Sequence, residues 1–302
     1  MKKLSFAVST VLAASMLVVP FSDAAVDDSD YQPSLYFKPI ETDEAQVLKN
    51  GTVYVNSGLL TGENNSFNAE VYIDDEQNSV GQIILKWKCD SEFIALDNLQ
   101  DPITLCGHSP YSQIISKDIV EVKPEVTAHP ELNKHFVSYL STSNDPFILT
   151  SENSDDYPLA GFSAVVDNDT PAGRYAVEFM SGKSGAQCEI ICFGDFSDSL
   201  LDFKEFKPVG DYAKPMKINV SDRMLGDIDN NEIINGSDAT QILAAYTKLS
   251  SNMESGFTPE QEIAADIDAD GIINGSDATL LLNYYTAISS DCKLSVYDYF
   301  LQ

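Results

Sequence analysis

Ile233-Ile234-Asn235-Gly236-Ser237-Asp238-Ala239-Thr240 occurs twice. The same eight residues return unchanged as Ile272-Ile273-Asn274-Gly275-Ser276-Asp277-Ala278-Thr279, at an offset of 39 residues. Identity at a fixed offset marks an internal duplication, two copies of one supersecondary unit. Upstream of each copy runs an alternating acidic stretch, Asp227-x-Asp229-x-Asn231 and Asp266-x-Asp268-x-Asp270. Counted from the first Asp, oxygen-bearing side chains fall at positions 1, 3, 5, 9 and 12 of each copy. They are Asp227, Asp229, Asn231, Asn235 and Asp238 in the first, and Asp266, Asp268, Asp270, Asn274 and Asp277 in the second. Position 7, Ile233 or Ile272, offers a backbone carbonyl if its side chain turns into the core. This is the ligand spacing of a calcium-binding loop. Ca²⁺ takes about six to eight hard oxygens at about 2.3–2.6 Å, and alternate positions of a tight loop can converge on one centre. Acidic turns that merely cap helices would account for one such copy; a match at every liganding position of two copies favours two bound Ca²⁺ ions.

Two departures from the EF-hand pattern matter. Position 12 is Asp rather than Glu, so a bidentate reach requires a shifted helix. Position 6 is Gly271 in the second loop but Glu232 in the first. A left-handed backbone there costs a non-glycine residue about 1 kcal/mol or more, which predicts weaker metal binding in the first loop. No helix precedes the first loop, only Ser221-Asp222-Arg223-Met224-Leu225, so each unit reads loop-then-helix. Leu243, Tyr246 and Leu249 follow one helical stripe, as do Leu281, Leu282 and Tyr285. Between them Thr258-Pro259-Glu260-Gln261 reads as a helix start, with Thr258 as N-cap, Pro259 first in the helix and Gln261 closing a capping box.

From about Asp222 to Ala287 the chain resembles a type I dockerin, the calcium-dependent plug that attaches proteins to cohesin modules of a cellulosome. The resemblance implies three helices, two Ca²⁺ ions, a near-two-fold surface and a scaffoldin cohesin as partner. It places partner-reading residues at positions 10 and 11 of each loop, here Gly236-Ser237 and Gly275-Ser276. Ala244, Lys248, Asn283 and Ala287 are further candidates. The identical pairs imply that either copy can dock. Ser237 and Ser276 are equally natural helix N-caps, which leaves a purely local role open. Without the ion the acidic side chains of each loop repel, so metal binding energy becomes folding energy. A chelator is therefore expected to unfold residues 222–290 and abolish partner binding.

The rest of the chain sets the context. Met1-Lys2-Lys3, an apolar run from Leu4 to Pro20 and the small-x-small signal Ser22-Asp23-Ala24 read as a secretory signal peptide over residues 1–24. The run is short for a membrane anchor. Residues 25–206 read as a β-sandwich module, 207–220, with Pro208 and Pro215, as a junction, and 221–302 as the dockerin with a tail. Short alternating runs recur at Thr52–Asn56, Phe67–Asp74, Val80–Lys88, Lys134–Leu140, Gly161–Val166 and Arg174–Phe179, each bounded by turn-forming clusters. Many short strands at this spacing predict an antiparallel β-sandwich of jelly-roll type. The block Ala160–Val166 followed by Asp167–Phe179, with Ala172-Gly173-Arg174-Tyr175, resembles the late strands of cohesin modules. The expected architecture is thus multi-domain, a cohesin-like antiparallel β-sandwich followed by a small all-α dockerin. The tail Leu294–Leu301, apolar on alternate positions, is expected to fold back and tie the ends of the dockerin together.

Composition narrows the function. Eighteen basic against 47 acidic residues give a formal charge of −29. That argues against nucleic acid and against anionic membranes as partners. Hydrophobic content of 43% excludes a disordered acidic chain. The five cysteines, Cys89, Cys106, Cys188, Cys192 and Cys292, cannot all pair and show no zinc spacing. Cys188 and Cys192 lie about 13 Å apart on an extended strand, too far for a disulfide. Cys89–Cys106 pairing stays open, and the favoured reading is buried thiols acting as small apolar groups. His108, His129 and His135 form no metal pattern, and neither a nucleophile elbow nor a phosphate loop is present. With 47 acids a catalytic carboxylate pair can be drawn anywhere, so the sequence does not discriminate a glycosidase. Trp87, the single tryptophan, lies on an apolar strand face and is expected in the core, leaving tyrosines as candidate sugar contacts. The sequence therefore favours a secreted, non-catalytic cellulosome component. Its β-module would meet polysaccharide or another dockerin. The alternative is a glycoside hydrolase or carbohydrate-binding module carried by the same plug, since the fold alone does not assign function.

Overall fold

The computed structural model describes residues 32–60, 65–74, 79–89, 91, 93–97, 133–140, 147–148, 160–181, 188–193 and 203–301. The signal-peptide reading, Cys106, His108 and His129 lie outside the described residues.

Each alternating run quoted above forms a strand. One sheet has the order β1 (Ser34–Pro39), β4 (Ser66–Asp74), β9 (Ala160–Val166), β6 (Ile94–Asp97), all antiparallel. The second runs β12 (Phe203–Phe206), β11 (Glu189–Phe193), β5 (Ser79–Cys89), β10 (Gly173–Phe179), β13 (Met216–Ser221), β3 (Val53–Asn56), β2 (Ala45–Val47). On the other edge of β5 lie β7 (Asn133–Leu140) and β8 (Phe147–Ile148). The pairing of β13 with β3 is parallel; the rest of this sheet is antiparallel. Strands β4 and β5 follow one another in the chain but lie in different sheets, so they do not pair as a hairpin.

The period of two then does the packing. Phe67, Ala69, Val71 and Ile73 of β4, with Phe162, Ala164 and Val166 of β9, face Leu85, Trp87, Val177, Phe179, Ile218 and Val220 of the other sheet in one core. Phe37 stacks on Phe179 with ring centroids 4.1 Å apart, and Trp87 lies 5.8 Å from Phe162. Trp87 is fully buried, so it is a core residue and not an exposed sugar platform. Cys89 and Cys188 are buried thiols within this core. Burial pushes the Cys188 thiol up to about 11, even though its sulfur exchanges hydrogen bonds with the Lys86 backbone.

One expected boundary is corrected. Residues 207–220 are not a linker throughout. After a short 3-10 turn at Gly210–Tyr212, Met216–Ser221 forms the inner strand β13, with Met216, Ile218 and Val220 buried. Pro215 sits just before the strand, where a missing N–H removes no ladder bond. The sandwich therefore runs to Ser221.

Four helices follow: α1 (Gly236–Leu249), α2 (Pro259–Ala265), α3 (Gly275–Ser289) and α4 (Val296–Leu301). The start of α2 is the predicted one, with the Thr258–Gln261 capping box formed and Pro259 in the first turn. Ile228, Ile242, Ile263, Ile267, Leu281 and Val296 build a second core, to which the sandwich contributes Leu48 and Tyr54. Tyr54 is fully buried and donates its hydroxyl to the Arg223 carbonyl at 2.9 Å. The two cores thus share a wall. The tail folds back as expected, but as a short helix rather than an extended segment. Val296 is buried, the Tyr297 hydroxyl accepts from the Leu225 amide, and the Tyr284 hydroxyl donates to the Leu294 carbonyl. Among the described residues no helix is long and apolar enough to cross a membrane.

Trp87→Ala is expected to lower stability by about 3–5 kcal/mol, the cost of emptying a large fully enclosed site. Urea unfolding followed by far-ultraviolet circular dichroism checks this; a loss under about 1 kcal/mol would contradict the packing described.

Candidate metal centre

Each acidic stretch winds into a loop because its side chains bind its own backbone. The Asp227 carboxylate accepts from the amides of Asn231 (3.0 Å) and Glu232 (2.8 Å), and Asp266 Oδ2 accepts from Gly271 (3.0 Å). Asn231 and Asp270 accept from the amides two residues on, Ile233 and Ile272. The carboxylate at position 12 closes the loop. Asp238 accepts from the Ile228 amide at 2.9 Å and the Asn235 amide at 3.0 Å; Asp277 accepts from Ile267 and Asn274, both at 2.8 Å. These aspartates are also third in their helices, so each completes a capping box with the N-cap asparagine.

The result draws the first, third and twelfth positions together. One carboxylate oxygen from each of Asp227, Asp229 and Asp238 lies within 4.8 Å of the others, and the same holds for Asp266, Asp268 and Asp277. Positions 5 and 9 are engaged inside the loop. Asn235 and Asn274 are the helix N-caps, accepting from Ser237 and Ser276 amides and donating Nδ2 to the carbonyls of Ile233 and Ile272. Two expectations are corrected here. Ser237 and Ser276 are not the caps; the asparagine two residues earlier is extended (φ −152° and −148°) and reaches the free amide first. The side chains of Ile233 and Ile272 do not enter the core. They are 61% and 63% exposed, and Ile234 and Ile273 fill the core instead.

Asp227, Asp238, Asp266 and Asp277 are essentially inaccessible. Buried carboxylates persist only when paired, hydrogen-bonded or bound to metal. Two ionised groups about 4–5 Å apart repel by roughly 3–4 kcal/mol at an effective dielectric of about 20. Asp266 Oδ1 is buried without a hydrogen-bond partner, an orphan acceptor directed at no protein donor. An all-oxygen set of this kind fits a hard divalent cation such as Ca²⁺, and does not suit the nitrogen and sulfur preference of zinc. In the metal-free chain, burial pushes the Asp277 carboxyl up to about 6, with Asp268 and Asp266 adding to the rise against the backbone bonds that lower it. Burial also raises Asp238, and raises Asp266 despite the neighbouring Arg174.

The strain predicted at Glu232 is present, at φ 64°, but it has a counterpart. Both loops are left-handed at positions 4 and 6: Asn230 (57°) and Glu232 in the first, Ala269 (53°) and Gly271 (93°) in the second. Each loop therefore carries one residue poorly suited to that conformation, Glu232 or Ala269. Backbone strain does not rank the loops.

The helix surfaces reveal residues that the sequence reading did not assign. Leu243, Tyr246 and Leu249 form an exposed stripe, and Leu282 and Tyr285 repeat the first two at the same offset. The core stripe is the less apolar set Ile242 and Ala245, matched by Leu281 and Tyr284. Of the candidate partner residues, Ser237, Ala244, Lys248, Ser276 and Asn283 are exposed, while Gly236, Gly275 and Ala287 are half-buried.

The raised pKa of Asp277 has a definite consequence. The folded metal-free domain keeps a proton between the ordinary value of 3.8 and about 6 that the unfolded chain releases. Its stability is therefore greatest at low pH in that window and falls as pH rises through it. Added Ca²⁺ favours the ionised form, so its stabilisation grows with pH. Thermal unfolding of chelated chain should give a higher midpoint at pH 5 than at pH 7, and the stabilisation on adding calcium should be larger at pH 7. Identical midpoints and identical calcium shifts would contradict the assigned environment.

Comparison with known proteins bears on this geometry. The dockerin type I domain family model matches residues 225–285. Among solved structures, the chain is similar to a type III cohesin module from a cell-surface anchoring scaffoldin of Ruminococcus flavefaciens. Identity is 12% over 66% of this chain and 93% of that one, with a TM-score of 0.35. A type I cohesin–dockerin complex from Clostridium thermocellum matches at 11% identity over 61% and 98%, with a TM-score of 0.32. A cohesin module from a Clostridium perfringens family 33 glycoside hydrolase matches at 12% over 63% and 100%, with a TM-score of 0.29. No curated protein matches the chain. Both loops, and the start of the helix that follows each, lie within the matched span: residues 225–285 match the dockerin type I domain on a chain that also carries a β-sandwich.

Proposed function

We propose that this chain is a secreted cellulosome component whose dockerin, with Ca²⁺ in both loops, plugs into a cohesin module of a scaffoldin. The β-sandwich is then a non-catalytic adaptor or cargo module. The observation that carries this reading is the pair of buried carboxylate triads, Asp227/Asp229/Asp238 and Asp266/Asp268/Asp277, held in the same register of a duplicated loop and helix. A bound divalent cation would offset most of the triad's negative charge and so relieve the repulsion among its carboxylates. By the spacing of the loop, the remaining oxygens would come from Asn231 or Asp270, the Ile233 or Ile272 carbonyl, and Asn235 or Asn274.

The chain's own residues then present the docking surface. Ser237, Ala244 and Lys248 on α1, and Ser276 and Asn283 on α3, are solvent-facing. They stand on the same helices as the exposed apolar pairs Leu243/Leu282 and Tyr246/Tyr285. A duplicated apolar face rimmed by small and polar residues is the form of a protein–protein contact. The duplication supports two equivalent docking orientations. The basic start and apolar run of the first 24 residues support secretion, and the buried Trp87 is consistent with a module that does not grip sugar through an indole.

Full chain should bind an immobilised type I cohesin in calcium and lose that binding in chelator. Ser237→Asp or Ser276→Asp alone should change the affinity little, while the double variant should lose it. Binding that persists in chelator, or no binding to any type I cohesin of a broad panel in calcium, would overturn the reading. Sugar release from plant polymers by the same chain would move the sandwich to the hydrolase alternative.

A further inference from the structure

The two loops match in sequence but are held from different places. The first is braced by its own domain: Arg223 Nη1 donates to the Ile228 carbonyl at 2.7 Å, and Gln261 Nε2 donates to the same oxygen at 3.2 Å. The second is reached from the sandwich. Arg174 Nη2, on β10, donates to Asp266 Oδ2 at 2.9 Å. Asn50 Nδ2, in the turn between β2 and β3, donates to the carbonyls of Asp268 at 2.9 Å and Ala269 at 3.0 Å. Both donors are fixed by their own sheet. Arg174 is in register with Asn219 of β13, and Asn50 Oδ1 accepts from the Thr52 amide at 2.9 Å within a turn that Gly51 closes at φ 81°.

These contacts answer specific needs of the second loop. It carries four carboxylates at liganding positions where the first carries three, because Asp270 replaces Asn231. Arg174 supplies one compensating positive charge. It occupies Oδ2 of Asp266 and leaves the buried Oδ1 without a protein donor. Ala269 is the left-handed residue that has no side chain to favour that conformation, and Asn50 holds its carbonyl; the equivalent Asn230 tolerates the conformation by itself. The guanidinium also repels a cation, but the Arg174 side chain is 42% exposed, so water screens that repulsion, while the hydrogen bond acts directly on the carboxylate.

We propose that Arg174 and Asn50 are positioning residues of the second metal loop, so that the sandwich holds this loop, and not the first, in its ligand-ready shape. The consequence is an asymmetric domain. The second loop binds Ca²⁺ more tightly, and it stays ordered when the metal is removed while the first loosens. This rests on the reading that both loops take Ca²⁺, and it narrows the expectation that chelation unfolds residues 222–290 as a whole.

Calorimetry on full chain tests it, with Asp229→Ala isolating the second loop and Asp268→Ala isolating the first. The second loop should be the tighter. With only the second loop active, Arg174→Ala or Asn50→Ala should lower calcium affinity about tenfold or more, the usual size of an outer-shell effect. With only the first loop active, neither change should matter. Amide exchange in chelated chain gives an independent readout. Gly271 should be more protected than its counterpart Glu232, and each variant should erase that difference without altering Ile228. A general loss of stability would instead raise exchange in both loops together. Two bound ions with affinities indifferent to Arg174 and Asn50 would overturn this inference alone. Absence of calcium binding in the unmodified chain would overturn the calcium reading and this inference with it.

Discussion

A single carboxylate in each repeat, Asp238 or Asp277, joins loop to helix. Its two oxygens accept the amide of the loop's second residue and the amide of the helix N-cap, and its own backbone is already helical. The shorter aspartate is suited to this: both oxygens reach backbone from the third helical residue, and the same group is itself one of the acid triad. The shape of the loop, the start of the helix and the position of the remaining acids all follow from those two bonds. Because the group is buried and close to like charges, the arrangement is under electrostatic stress without a cation, and the helical domain inherits that stress as pH sensitivity.

Around this joint the molecule builds two cores that meet at Tyr54 and Leu48. The sandwich core is made by alternation on facing sheets; the helical core is made by isoleucines and alanines at the loop–helix junctions. Gly226 shows how closely the parts approach. It is left-handed at φ 86°, and a β-carbon there would lie 2.6 Å from the Leu281 methyl of α3. Entry to the first loop is thus packed against the helix that follows the second, which makes the duplicated units a single body.

Much of this was legible in the sequence where the signal is local. Thr258, Pro259 and Gln261 announced α2 because a capping box involves only neighbours. The strand runs were readable because burial on one face imposes a period of two. Legibility failed where a choice depends on distant packing. Ile233 and Ile234 are chemically identical neighbours, and which one enters the core is decided by the curvature of the loop. Leu243, Tyr246 and Leu249 read only as a helical stripe, with no sign of which way it faces; it is exposed, and the buried set includes alanine, which carries little hydrophobic signal. Pro208 and Pro215 suggested a linker, though one stands immediately before an inner strand. Arg174 and Asn50 had no local signature at all, since their partners lie 92 and more than 200 residues away.

The route from β13 to the first loop is short: Ser221 ends the strand and Asp227 opens the loop. Many modular proteins hang their parts on flexible connectors that let a cargo sweep a wide volume. Here the last strand, the shared aromatic wall and the clasp on the second loop leave no slack for such sweeping. Any surface that grips the helices also dictates the bearing of the sandwich, which is held like a bracket rather than a pendulum. Reversing the grip from one helix to the other would swing that bracket to a new heading as a single piece.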